Sequence, residues 1–243
     1  MKAHSLLRSF LVRSSLALLA LPFAPCLVAA DPLPKLTVER INSEPALSGT
    51  LPSRLQWHPD GTRVAFVRKS DLWVVDLATG KETRLTQGGS DTLLNGRLDW
   101  VYEEELASRA GQAFLWSPDS RAIAYLQLDQ SRVPTFPIVD FVPVRNEVEW
   151  QRYPKAGAPN SIVRLGVVSL AKDGTPGPER LVSFTPDDVY VLPQLGWTAD
   201  SRQVAFQHLN RAQDELELRL LPVPSAPGGP LGPPRTVLTE RSK

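Results

Sequence analysis

Apolar and polar positions alternate along three stretches that align without gaps: "LQWHPDGTRVAFVR" (55–68), "FLWSPDSRAIAYLQ" (114–127) and "LGWTADSRQVAFQH" (195–208). Trp57, Trp116 and Trp197 coincide, as do Asp60, Asp119 and Asp200, and each stretch ends near an aromatic, Phe66, Tyr125 or Phe206. A period of two in runs rich in Val, Ala and aromatics predicts β-strands. The Pro-Asp-Gly and Asp-Ser steps between them are turn chemistry, because a short Asp side chain bonds the local backbone. Each stretch therefore reads as strand–turn–strand.

The pattern continues in step. "DLWVVDLATGKETRLT" (71–86), "IVRLGVVSLAKDGTPGPERLV" (162–182) and "ELELRLLPVPSAPGGPLGPPRTVL" (215–238) each predict a third strand, a Gly- or Pro-rich turn and a fourth strand opened by Arg84, Arg180 or Arg235. Four strands per copy is the repeat of a β-propeller blade. A β-sandwich of similar strand count is the competing architecture, but it does not predict three in-register copies of one unit. The fold class is all-β, a partial β-propeller of about three four-stranded blades over 54–243. Rings hold about 4–8 blades, so three leave the circle open and the chain reads as part of a larger ring.

The copies are unevenly spaced. The tryptophans lie 59 and then 81 residues apart, whereas a blade needs only about 40–50 residues. The surplus falls at 90–112 and at 128–160, the latter a Pro-rich loop containing Asp140 and Phe141. Long insertions on a regular scaffold are where binding residues gather.

Composition narrows the class without changing the fold. Apolar residues make up 42% and charged residues 22%, ordinary for a soluble globular protein. The chain has no polybasic tract, which excludes nucleic acid and an anionic membrane surface as expected partners. Residues 1–30 have the order of a secretory signal, with Lys2, Arg8 and Arg13 ahead of an apolar run and "VAA" before Asp31. Cleavage is expected after Ala30, followed by an N-terminal segment (31–53) and the propeller. The apolar run, broken by Pro22 and Pro25, is too short for the roughly 20 residues of a spanning helix, and Pro25 before Cys26 fits lipid attachment poorly. Removing three of the 27 basic residues leaves 24 against 26 acidic ones, a formal charge of −2, and removes the only cysteine. An exported, periplasmic or secreted location without disulfides follows as an expectation.

The first surplus contains "LDWVYEEEL" (98–106), which sets Trp100 and Tyr102 against Glu103, Glu104 and Glu105. A helix from about Val101 to Ala110, ended by Gly111, fits the composition. Asp99 would cap its start, and Glu105 and Arg109 would pair at i, i+4. On this account the carboxylates are a solvated face. The alternative is chemical: two carboxylates on a short helix over a cavity flank one ammonium group, which relieves their repulsion and donates charge-assisted hydrogen bonds. A peptide α-amino group is largely protonated at neutral pH and suits such a site.

Together with "FLWSPDSRAIAYLQLDQSRVP", "YPKAG" (153–157) and "QHLNRAQDELEL" (207–218), the motif "DWVYEEE" resembles the N-terminal propeller of the dipeptidyl peptidase IV family of serine peptidases. The resemblance covers 31–243. It implies an eight-bladed propeller over an α/β-hydrolase domain, and removal of Xaa-Pro or Xaa-Ala dipeptides from peptide N-termini. Glu104 and Glu105 would bind the substrate's free amine, with Glu103, Tyr102 and Trp100 supporting them, and the family's homodimer would be expected. A non-catalytic periplasmic propeller serving as a binding or scaffold protein is the other reading.

The family's chemistry needs a nucleophile, a base and a group that orients the base. G-x-S-x-G is absent, the nearest string being "GGSDT" (88–92). His58 and His208 occupy repeat positions and read as structural. No catalytic residue is therefore assigned to this chain, and the triad would lie in a hydrolase domain that the sequence lacks. No Cys or His cluster has metal-ligand spacing, and no cofactor is expected. Tyr153 and Lys155 read as packing of the second insertion, and Asn210 and Arg211 as a β-turn.

Overall fold

Strand pairing follows the repeat. The structure, a computed structural model, describes residues 36–43, 47, 55–107, 111–226 and 228–242; the expected signal and the Glu105–Arg109 pair lie wholly or partly outside these. The chain divides into two units, 1–50 and 51–243. In the first, the helical turn α1 (Val38–Ile41) is capped by the Thr37 hydroxyl, which accepts from the Arg40 amide at 3.1 Å.

In the second unit the first blade is a four-stranded antiparallel sheet in chain order: β1 (Gln56–Trp57), β2 (Arg63–Arg68), β3 (Asp71–Asp76) and β4 (Glu82–Arg84). Arg84 ends its strand instead of opening it, and its guanidinium turns back to Asp71 at 2.5 Å. Asp71 is buried and satisfied as a carboxylate by Thr86, Asn95 and the Gly89 amide as well.

The second blade holds both insertions within the ranges expected for them. Its innermost strand is in two pieces, β5 (Leu93–Asn95) and β6 (Phe114–Trp116), and both pair with β7 (Ala122–Asp129). The acidic segment thus interrupts an inner strand. The surplus after β7 is a β-hairpin, β8 (Thr135–Asp140) and β9 (Glu147–Arg152), not an irregular loop. Asp140 ends β8 and Phe141 begins the hairpin turn. Both strands are mostly exposed, with Phe141, Val142, Val144 and Trp150 open to solvent. The blade then resumes with β10 (Ile162–Ser169) and β11 (Arg180–Ser183). The third blade repeats the split inner strand as β12 (Tyr190–Val191) and β13 (Gly196–Trp197), followed by β14 (Gln203–Leu209), β15 (Glu215–Pro222) and β16 (Arg235–Arg241).

The core lies between blades. Every residue from Ala122 to Leu128 is buried because β7 is covered on both sides. Ile123 and Tyr125 meet Ala65, Leu72 and Val74 of the first blade, while Ala124, Leu126 and Leu165 meet Val204, Phe206 and Leu221 of the third. Alternation, which would point one face to water in a half-exposed sheet, here supplies two interfaces. Gly166 faces Tyr125 across the ladder, and a Cβ there would lie 2.3 Å from the ring.

The expected turns are built as their residues dictate. The Asp60 carboxylate accepts from the Thr62 amide and hydroxyl at 2.8 and 2.6 Å. The buried His58 bonds Asp60 through Nδ1 and the Ser120 carbonyl through Nε2 at 2.9 Å, a structural role.

Candidate functional site

The acidic segment leaves the inner strand at Asn95 and returns at Phe114. Its stems and the neighbouring end of the first blade line a cavity of about 140 Å³, bounded by Gln56, Gly96, Leu98, Gly111, Gln112 and Phe114. Gln56 ties the blades at this rim by donating to the Gln112 side chain at 3.1 Å and to the Phe114 carbonyl. Gly111 permits the return: a Cβ would lie 2.4 Å from that of Ala107 and 2.8 Å from Pro193.

Asp99 caps the segment as its position suggests. One carboxylate oxygen accepts from the Tyr102 amide at 2.9 Å, and the other accepts from the Ser161 hydroxyl at 2.5 Å. Burial pushes the Asp99 carboxyl up, against the pull of Ser161 and the Tyr102 amide. The Glu103 amide bonds the Asp99 carbonyl, an α-helical link. The next link is wider: the Ala107 amide bonds the Tyr102 carbonyl at 2.9 Å, so Tyr102–Leu106 forms a single π-helical turn. Over the described residues this takes the place of the α-helix expected from about Val101; the rest of that expected helix, residues 108–110, lies outside them. Single π-turns recur at functional sites, and the wider turn sets successive side chains at a smaller angle than an α-helix does. Glu104 and Glu105 are exposed on this turn, and Glu103 is half-buried.

The aromatics hold the turn in place. Tyr102 is 1% exposed, and its hydroxyl accepts from the Val191 amide in the third blade at 3.2 Å. Burial raises its phenol well above the usual range, so it stays neutral. Its ring lies 6.5 Å from that of Tyr190. Trp100 packs on Tyr153 at 4.3 Å, and Tyr153 in turn lies near Phe136 of the hairpin. Lys155 places its ammonium 4.2 Å from the Phe136 ring centroid. Trp100, Tyr102 and the three glutamates thus share one short segment, with the first two fixed in the protein.

Several supports were not singled out from sequence. Ser161, Asn160 and Tyr190 join this network, the Asn160 amide donating to the Tyr190 hydroxyl at 2.7 Å. Arg211, read as a turn residue, also donates to the Tyr190 hydroxyl and to the Ala158 carbonyl at 3.3 Å. Nothing local signals this, because the partners lie 21 and 53 residues away. Asn210 is the turn residue expected: its side chain accepts from the Asp214 and Glu215 amides.

The family model described as the dipeptidyl peptidase IV (DPP IV) N-terminal region matches residues 30–229. A "Probable dipeptidyl-aminopeptidase B" of Tuber melanosporum (strain Mel28) is 32% identical over 212 residues, covering 79% of this chain and 23% of the relative. A "Probable dipeptidyl peptidase 4" of Emericella nidulans is 34% identical over 170 residues, covering 66% and 21%. The crystal structure of Porphyromonas gingivalis dipeptidyl peptidase 4 superposes with a TM-score of 0.65 at 28% identity, covering 78% of this chain and 26% of that one. The chain thus spans about a quarter or less of the relatives it matches. Its three blades are part of that larger propeller, and the chain belongs to the dipeptidyl peptidase IV family, as a portion of its N-terminal region.

Proposed function

We propose that this chain is the substrate-gating N-terminal propeller portion of an exported, serine-type dipeptidyl aminopeptidase that removes Xaa-Pro or Xaa-Ala dipeptides. Glu104 and Glu105 clamp the peptide's α-ammonium and so set how far the scissile bond lies from the free end. The observation that carries this reading is the anchored π-turn. Asp99 and Tyr102 hold it from beneath, through Ser161 and Val191, and leave Glu104 and Glu105 exposed. A preorganised pair of carboxylates binds a cation without first having to order a loop.

The chemistry of cleavage is assigned to a hydrolase domain beyond these residues, which would supply the nucleophile, base and oxyanion donors. Residues 1–30 would direct export, with cleavage after Ala30. A homodimer belongs to the same proposal, and the apolar, exposed tip of β8–β9 supports it as a contact surface. Reading the coding frame beyond Lys243 and assaying the encoded protein on an Xaa-Pro chromogenic substrate tests the function. A continuous frame with G-x-S-x-G and hydrolysis of the substrate is expected. A stop codon at that point, with no hydrolysis, would overturn it in favour of a binding module.

A further inference from the structure

The hairpin β8–β9 stands on no core of its own, but its root is tied firmly. The Tyr153 amide, directly after β9, donates to the Pro134 carbonyl at 2.9 Å. The Arg152 guanidinium donates to the carbonyl of the buried Val133 at 2.7 Å. Beneath them, Arg132 donates through Nε to the Asn160 carbonyl at 2.8 Å, which joins the two stems where the hairpin leaves the blade. The strands beyond are mostly exposed. The root, in contrast, has a fixed backbone on which a side chain can be aimed.

Tyr153 is aimed at the acidic segment. Its half-buried ring lies 4.3 Å from that of Trp100, with the planes 57° apart. On its other side Phe136 lies at 6.2 Å, and Lys155 places its ammonium over Phe136. Trp100 stands between the two hydrogen-bonded anchors of the π-turn, Asp99 on Ser161 and Tyr102 on Val191. Two such anchors define an axis and leave rotation about it open. A third contact, made by a side chain between them, closes that rotation. Asp99, Trp100 and Tyr102 are thus held from three separate places: the residue before β10, the root of the hairpin, and β12. Rotation of the turn would swing the side chains that project from it, Glu104 and Glu105 among them.

We infer that Tyr153 is a positioning residue for these two glutamates: the hairpin root sets its ring, the ring holds Trp100, and Trp100 fixes the angle at which the carboxylates meet an ammonium group. The inference rests on the clamp proposed above and gives the second insertion a part in it. Tyr153 touches no substrate. Its contribution is the preorganisation of groups that do, and misplacement by about 1 Å is enough to weaken such contacts severely.

The test uses the full-length protein that contains this chain and two chromogenic substrates, an Ala-Pro p-nitroanilide and its propionyl-Pro counterpart, which differs only in lacking the amine. The ratio of their kcat/KM values measures how well the ammonium is held. Tyr153→Leu should lower this ratio by about three- to tenfold, the range of one aromatic contact. Tyr153→Phe should restore it, because the ring remains. If Tyr153→Leu does not fold, Phe136→Leu carries the test: it loosens the same ring from its outer side and should lower the ratio by a smaller factor. A merely structural role would lower kcat/KM for both substrates equally, and an unchanged ratio in the folded variants would overturn the inference. Glu104→Gln and Glu105→Gln, measured on the same pair, separate the two claims. A ratio that falls in these but not in Tyr153→Leu leaves the clamp standing and sinks the positioning role. A ratio that falls in neither removes the clamp and the inference with it.

Discussion

The Tyr102 hydroxyl accepts a hydrogen bond from the Val191 amide at 3.2 Å, so the acidic turn inserted in the second blade is fastened to the inner strand of the third. The bond spans 89 residues of sequence and sits where both partners are buried. Site and scaffold are therefore coupled: the blade junction must be intact for the turn to be placed.

Tyr102→Phe isolates that coupling. The ring still fills its place, but the Val191 N–H is left buried without a partner, which costs about 1–3 kcal/mol. Thermal unfolding of the variant should begin a few degrees lower, at about 2–4 °C per kcal/mol for a chain of this size. An unchanged midpoint would show that the bond contributes nothing.

Two carboxylates give stability trends of opposite sign. The folded state raises the Asp99 carboxyl through burial, so it binds its proton more tightly than the unfolded chain does. Its contribution is complete below the ordinary carboxyl range and is lost as pH rises through the raised value. Asp60 is lowered to about 2, first by the Thr62 hydroxyl and then by the Thr62 amide. Its contribution is present above the ordinary value and is lost as pH falls toward 2. Denaturant titrations across pH should show the gap between the unaltered chain and Asp99→Asn shrinking as pH rises. For Asp60→Asn the gap should shrink as pH falls.

Gly166→Ala tests the packing of the central blade. The new methyl would meet the Tyr125 ring at 2.3 Å, and that ring is completely buried, with its hydroxyl donating to Glu179 at 2.6 Å. Overpacking of this kind costs about 1–3 kcal/mol. The double variant Gly166→Ala, Tyr125→Leu should recover part of the loss, and failure to do so would place the strain elsewhere.

The blades were legible because two signals agree in each: alternation sets the strands, and the Asp of the turn fixes where they reverse. The same alternation gave the buried faces once β7 was flanked on both sides. The break between Asn95 and Phe114 was not legible. β5 is only three residues long, and pairing with the far end of β7 leaves no periodic trace. The hairpin β8–β9 was hidden for a different reason: Pro137 and a lack of core contacts mask its alternation, since neither strand faces a core that would sort its residues. The acidic motif and its Asp99 cap were visible locally. Its π-turn was not, because the same residues satisfy either helical spacing.

The central claim is that Glu104 and Glu105 hold a peptide's free amine. The most direct test is steady-state kinetics of Glu104→Gln and Glu105→Gln on an Xaa-Pro substrate, in the full-length protein that contains this chain. Loss of one charged hydrogen bond of about 1.5–3 kcal/mol should lower kcat/KM tenfold or more in each variant, with thermal unfolding of each variant measured alongside. Kinetics equal to those of the unaltered enzyme in both variants would contradict the clamp and return the two glutamates to a solvated face.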